Sequence, residues 1–376
     1  MTKIINQFLS ILLVTMLTAT LMPSCTLLEE NLPECTAHMR LHFKYDYNMQ
    51  RADMFHDHVG MVRLFAVDHE TDLVIKDTII SNRDNNDIIK FSGDRYFTVT
   101  LDDLPFDREY KFLAIALQRP YDELEGEAYA RGYDHFHGLF PAIGQNEHLL
   151  RMNLTHSALP DQNGRYHVTA PSCGLDTLWV GHTIKALNWE DKPFLLVEDT
   201  ISMVRDTKYL NIALHNLDDD ARAAISHEDY EVLITDNNGL IEWDNALIPD
   251  ADLIYTPHAS WTTEALDENE DVNSRAARYE LSFSRLVINK NNDPRNNARL
   301  RIIRRSDRET VVDIDLAYYL AAGRNAYAWA QYGEQEYLDR EYHYSLDFFL
   351  RGDRWDYLKL GVNIMPWAIR IQREVL

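Results

Sequence analysis

Apolar residues recur at every second position along the first half of the chain, and strands follow one another there with no ten-residue helical pattern between them. Leu41, Phe43, Tyr45 and Tyr47 form one such face, as a half-buried strand requires. MVRLFAVD at 61–68, YFTVTL at 96–101 and YKFLAIAL at 110–117 repeat the pattern between polar or acidic turns. From 120 to 174 the sequence mixes Gly, Pro, His and acids, which predicts long loops with one or two short strands such as HLLRMNL at 148–154. Strand character returns in LDTLWVG at 175–181 and FLLVEDTISMV at 194–204.

A second set opens with KYLNIALHNL at 208–217, and the polar DDDARAAISHEDY after it has room for one helical turn. YEVLITDNNGLIEWDN at 230–245 sets two β-rich arms around Asn237-Asn238-Gly239; because Asn-Gly tolerates positive φ, a tight hairpin is predicted. ALDENEDVNSR at 265–275 is charged and poor in apolar residues, an exposed loop. YELSFSRLVI, ARLRIIRR and TVVDIDLAYYLAAG follow, the last with a short helix predicted at its end, and the chain closes with YHYSLDFFL, YLKLGVNI and WAIRIQREV. Two successive sets of roughly seven short strands predict an all-β chain of two tandem β-sandwiches, 37–204 and 205–376.

A length of 376 residues suits two domains. Residues 1–24 belong to neither, since Lys3 precedes an apolar run from Phe8 to Met22 that ends in Pro23 and Ser24, the form of a secretory signal. That run falls short of the about 20 residues a membrane-spanning helix needs. Removing 1–24 deletes Lys3 and no acid, so the net charge moves from −23 to −24. Such a balance argues against nucleic acid as a partner and against basic adhesion to anionic lipid.

Catalytic patterns are missing from the sequence: it has no Gly-x-Ser-x-Gly elbow, no His-Glu-x-x-His, no Gly-rich phosphate loop and no Cys-x-x-Cys. The chain is therefore expected to be no enzyme and to need no metal or cofactor. The pairs His56/His58 and His135/His137 would put two imidazoles on one strand face but bring no third ligand. Asp267, Glu268, Glu270 and Asp271 read as a solvated acidic loop rather than a calcium site. The competing functional class is a surface lipoprotein that binds glycan or captures nutrients; the 20 tyrosines and 7 tryptophans would serve its glycan surface, yet most sit at alternate strand positions as core residues do.

Met22-Pro23-Ser24-Cys25 resembles a bacterial lipobox, with Met22 and Pro23 departing from its commoner residues. The resemblance implies that Cys25 becomes the lipidated first residue of a tether, 25–36; ordinary cleavage nearby would instead leave Cys25 free or paired. Glu29 and Glu30 resemble the acidic export signal of surface lipoproteins of Bacteroidota, which favours the outer face of the outer membrane over the alternative of two solvated tether charges. Lipidation of Cys25 leaves Cys35 and Cys173 as a pair in an oxidising compartment, and spacing alone does not decide whether they bond.

SCTLLEENLPECTAHMRLHFKYDYNM at 24–49 resembles the mature N-terminus of the FimB/Mfa2-type fimbrial anchor subunits of Bacteroidota. EYLDREYHYSLDFFL at 336–350 and VNIMPWAIRIQ near the end resemble that family's late segments, with LFAVD, DTLWVGHT and DTKYLNIALHNL in its order between them. The resemblance implies two transthyretin-like sandwiches and a lipoprotein, anchored in the outer membrane and facing the exterior, that holds fimbrial shaft subunits at the base of the fimbrium and helps limit its length. Related shaft subunits lose an N-terminal strand to a trypsin-like protease, a cut an anchor must escape; Arg40 and Arg51 are the potential cut sites here. The last strand, with Trp367, Ile369 and Ile371, is the expected polymer-contact strand, or else it completes its own sandwich.

Overall fold

The computed structural model describes residues 36–81, 97–105, 107–118, 136–168, 174–187, 196–218, 224–266, 272–288, 293, 296–351, 354–363 and 369–374. Along the first half run β1 (Thr36–Lys44), helix α1 (Phe55–His58), β2 (Met61–Asp68), β3 (Leu73–Ser81), β4 (Phe97–Pro105), β5 (Arg108–Leu117), β6 (Phe136–Leu139), β7 (Arg151–Leu154), β8 (Tyr166–His167), β9 (Leu178–Leu187), β10 (Leu196–Ser202) and β11 (Val204–Arg205). The second half holds β12 (Lys208–Asn216), β13 (Tyr230–Asp236), β14 (Leu240–Glu242), β15 (Leu247–Ile248), β16 (Leu253–Tyr255), β17 (Ala259–Leu266), β18 (Val272–Phe283), β19 (Arg299–Arg304) and β20 (Thr310–Asp315). It continues through helices α2 (Leu316–Ala322), α3 (Ala326–Gln331) and α4 (Glu334–Arg340) to β21 (His343–Arg351), β22 (Arg354–Asn363) and β23 (Ile369–Glu374). The fold is all-β, as the alternating pattern predicts.

Two sheets make the first sandwich: β10-β1-β4, and β11-β9-β5-β2-β3. Their shared core takes Met39, Leu41 and Phe43 from β1, Val62, Leu64 and Ala66 from β2, and Tyr110, Phe112 and Ala114 from β5. The alternate residues Met61, Phe65, Val67, Leu113, Ile115 and Leu117 are equally buried, but in the other, larger core. The five-stranded sheet is thus covered on both faces, which explains why β2 and β5 read as nearly continuous apolar runs. Each fully buried Val, Leu, Ile or Phe contributes about 1.5–3 kcal/mol, so two loaded faces make this sheet the most heavily stabilised surface of the first half. The second face also carries polar groups, among them Arg63, whose guanidinium grips Asp77 at 2.7 and 3.0 Å and lies 4.0 Å from the centre of the Phe140 ring.

The second sandwich pairs a six-stranded sheet, β17-β18-β12-β21-β22-β23, with the five-stranded β20-β19-β13-β16-β8. A four-stranded sheet, β15-β14-β7-β6, lies over the outer face of the first sandwich. Two pairings cross the expected division after residue 204: β7 with β14, and β8 with β16. The segment 136–168 therefore hydrogen-bonds to strands of the second half.

The hairpin expected at Asn237-Asn238-Gly239 does not form. β13 joins β16 and β19, whereas β14 joins β15 and β7, so the turn carries the chain from one sheet to another. Asn238 is fully buried and acts as a connector, donating from Nδ2 to the carbonyls of Ser284 and Arg285 at 3.0 Å each and accepting from the Tyr255 hydroxyl at 2.5 Å. Gly239 packs closely on Leu253, whose Cδ1 would have to give way to a Cβ placed 2.7 Å from it. The loop expected over 265–275 is also shorter than predicted, since β17 reaches Leu266 and β18 begins at Val272. The helix expected after TVVDID is α2, capped by the Asp315 side chain accepting from Tyr318 N at 2.9 Å.

Candidate functional site

Val204 to Lys208 carries the chain from the first sandwich to the second, and Arg205, Asp206, Thr207 and Lys208 are all buried there. Backbone pairing sets the start: β11 lies against β9, with Arg205 opposite Trp179. The Arg205 guanidinium is ringed by Tyr342, Tyr209 and Trp179, with centroids at 4.1, 5.3 and 5.7 Å, and its Nε donates to Thr207 O at 3.1 Å. Tyr45, next after β1, meets Trp179 edge-on at 5.7 Å. Thr207 Oγ1 donates to Asp176 O at 2.7 Å and accepts from Leu178 N at 3.1 Å.

Lys208 reaches into the second half, where its Nζ donates to the backbone carbonyls of Asp339 and Glu341, 2.9 Å each. Both acceptors follow from α4, whose end is drawn against the connector. Asp339 is gripped from the far side by Arg285, at 2.7 and 2.9 Å, and Arg285 also donates to Asn245 O. Glu341 accepts from the amides of Tyr342 and His343 at 3.0 and 3.1 Å, which fixes the start of β21. Burial pushes the carboxyls of Asp206 and Glu341 up to about 7, and burial pulls the Lys208 ammonium down to about 8.

A rim of contacts completes this joint. Arg340 of α4 lies 4.0 Å from the Tyr47 ring centre and 4.7 Å from that of Tyr332. Arg51, held at φ 54, donates to the Tyr332 hydroxyl at 2.5 Å and to Gln331 Oε1 at 3.1 Å. Both residues named at the sequence level as protease-sensitive are therefore engaged: Arg51 by the second half, and Arg40 by a place in β1 between β10 and β4, with an ion pair to Glu198 at 2.8 Å. Perturbed carboxyls often mark catalytic clefts. Here Glu341 is enclosed and accepts from two backbone amides, and Asp206 is enclosed within the field of Arg285 and Lys208, which is the arrangement of a structural joint.

Among the described residues, one trio of metal-ligand type occurs, Asp72, Glu147 and His148, with ligand atoms within 4.8 Å of one another. Lys111 Nζ already stands there, 2.6 Å from Asp72 and 2.5 Å from Glu147, with the Trp243 ring centre at 5.3 Å. Burial works against the Lys111 ammonium, but its hydrogen bonds to Asp72 and Glu147 outweigh this and hold its pKa above the ordinary value. The cation of this cluster is the lysine. His56 and His58 fall in α1, a single helical turn, so they do not share a strand face as expected; His137 is on β6, and His135 lies outside the described residues.

Cys25, Cys35, Cys173, Trp367 and the acidic run 267–271 also lie outside the described residues. Ile369 and Ile371 belong to β23, opposite Asn363 and Gly361 of β22, at one edge of the six-stranded sheet. The joint itself was not legible in the sequence. Arg-Asp-Thr-Lys between two apolar strands reads as an exposed linker, and the one available signal was the Tyr-Leu-Asp-Arg-Glu block at 337–341, which supplies Asp339 and Glu341.

Two β-sandwich cores joined by a buried ionic connector, with β1 inside its sheet between β10 and β4, define an all-β protein of two sandwiches. The chain belongs to the fimbrillin-A associated anchor proteins Mfa1 and Mfa2, whose family model matches residues 32–373. Among solved structures it is similar to a candidate adhesin from Bacteroides thetaiotaomicron, at 25% identity and TM-score 0.66, covering 91% of this chain and 99% of that one. It is also similar to the fimbrial anchor protein Mfa2 from Porphyromonas gingivalis, at 13% identity and TM-score 0.59, covering 87% and 97% of the two chains. A third, described as a candidate polysaccharide-binding protein of Bacteroides thetaiotaomicron, has 22% identity and TM-score 0.62 over 90% and 99%. No curated protein sequence matches.

Proposed function

We propose that this protein is an outer-membrane lipoprotein, lipidated on Cys25, that anchors fimbriae to the cell exterior and limits their length. The observation that carries the reading is the family match over 32–373, nearly the whole of the expected mature chain. The division into a signal at 1–24, a tether at 25–36 and two sandwiches at 37–204 and 205–376 belongs to the same proposal, as does pairing of Cys35 with Cys173. The protected position of β1 supports it, because an anchor cut after Arg40 or Arg51 would lose its lipid.

Fimbrial shaft subunits are the proposed partners, and the proposed contact is the C-terminal segment carrying Trp367, Ile369 and Ile371, of which the last two belong to the edge strand β23. Truncation after Pro366 tests that contact: a stable protein that still binds shaft subunits would refute it. The whole reading is tested by mass spectrometry of material co-purified with the tagged chain from its native membrane. Acylated Cys25 with a stoichiometric fimbrial subunit is the expected result. An acylated chain carrying glycan instead would favour a glycan-binding lipoprotein, a reading that the exposed Tyr318 and Trp329, each 56% accessible, support.

A further inference from the structure

β1 has an unusual pair of neighbours. It runs antiparallel to β4 and parallel to β10, with His38 to Lys44 in register with Leu196 to Ser202. Its N-terminal end lies beside Pro105, close to Asp107 and Leu187 at the far end of the first sandwich. Its C-terminal end lies at the joint: Met203 N donates to Lys44 O at 2.8 Å, Ser202 Oγ donates to Asp46 at 2.6 Å, and Tyr45 packs on Trp179. β10 leaves by its own C-terminal end, through β11, directly into β12 of the second half.

From this geometry we infer that β1 and β10 form a mechanical clamp, which takes tension between the N-terminal end of the chain and the second sandwich as shear. Tension on Thr36 pulls β1 one way along its axis, and a load on the second half pulls β10 the other way. Because the strands are parallel, all seven paired positions bear that load together and must break together. Pulled apart sideways from one end, the same strands would unzip pair by pair.

Side chains add resistance to sliding. Met39, Leu41 and Phe43 are fully buried, so a slip of one residue would turn each of them out of the core. Arg40 bridges to Glu198 across the parallel pair, and His38 reaches Asp102 at 2.6 Å across the antiparallel one. The second half repeats the device, since its first strand, β12, is central, antiparallel to β18 and parallel to the late strand β21. The clamp deepens the anchoring reading, in which tension enters at the lipid and leaves through a polymer, but it rests on topology that anchoring does not supply.

Single-molecule force spectroscopy on the full chain tests it, with handles placed through click-reactive residues. One geometry pulls the N-terminus against Ser306, exposed in the β19–β20 turn of the second sandwich. The other pulls the N-terminus against Ala186, exposed on β9 at the far end of the first sandwich, so that β1 is peeled from its N-terminal end. Forced rupture reports the unfolding barrier along the pulled direction. The expected result is that the first sandwich opens at a severalfold higher force in the Ser306 geometry, whether or not the second sandwich yields earlier in the same pull. Opening at equal or lower force than in the Ala186 geometry would overturn the clamp. High force in a protein that captures no shaft subunit would leave the clamp standing and remove the anchoring role.

Discussion

Arg285 and Asp339 meet as a two-pronged ion pair, Nε to Oδ1 at 2.7 Å and Nη2 to Oδ2 at 2.9 Å, with Asp339 also bearing on Lys208 through its backbone carbonyl. The pair holds α4 against the segment that follows β18, while Lys208 ties the end of the same helix to the connector between the sandwiches. Breaking one side of such a buried pair leaves a charge with no compensation, whereas removing both sides does not.

Arg285→Ala is accordingly expected to destabilise the protein by about 3–5 kcal/mol, with Arg285→Ala/Asp339→Ala costing less than the sum of the single changes. Urea unfolding midpoints give both values. Additive costs would mean that the two side chains act separately.

The buried carboxyls set a pH dependence. Asp206 and Glu341 titrate at about 7 in the fold against ordinary values of 3.8 and 4.5, so between those limits the folded state holds the extra protons. Stability therefore falls as pH rises through that window. Lys208 acts oppositely between about 8 and 10.5, where the unfolded chain holds the extra proton and stability rises with pH. From pH 5 to 7.5 Asp206 is expected to contribute a loss of about 1–3 kcal/mol, which Asp206→Asn abolishes. A variant with the slope of the parent protein would rule this out.

Trypsin provides a third check. A protease must draw several extended residues into its cleft, and Arg40 is paired on both sides while the side chain of Arg51 is bound to Tyr332 and Gln331. Neither bond is expected to be cut in the native protein except at the rate of unfolding. Peptide mapping that finds rapid native cleavage after Arg40 would contradict the locked placement of β1.

Lys111 offers a compact test of the acidic trio. Lys111→Met leaves Glu147, 1% exposed, without its cation, and about 3–5 kcal/mol of stability should be lost. Adding Glu147→Gln should restore most of it, and calorimetry of the two variants measures the difference.

How much of this could be read beforehand differed from strand to strand. β2 coincides with MVRLFAVD because a strand buried on both faces shows as a bounded apolar run. β17, ASWTTEAL, escaped because an edge strand whose residues are half-buried or exposed lacks an apolar face. α3 and α4 have six and seven residues, too short for helical periodicity to declare itself. Asn237-Asn238-Gly239 misled because local turn chemistry says nothing of a distant Ser284 and Arg285, whose carbonyls claim Asn238. The joint was hidden for the same reason: Lys208 becomes a core residue only after Asp339 and Glu341, more than a hundred positions later, arrive to receive it.

The crossing of β7 to β14 and of β8 to β16 bears on how such chains can be recombined. A splice after residue 204 would look clean on a diagram of two beads, yet it would strip β7 and β8 of their partners and bare the apolar face they help to cover. Any exchange of halves between relatives has to carry the stretch 136–168 together with the strands it meets, so the movable unit is the interlocked pair rather than the single sandwich.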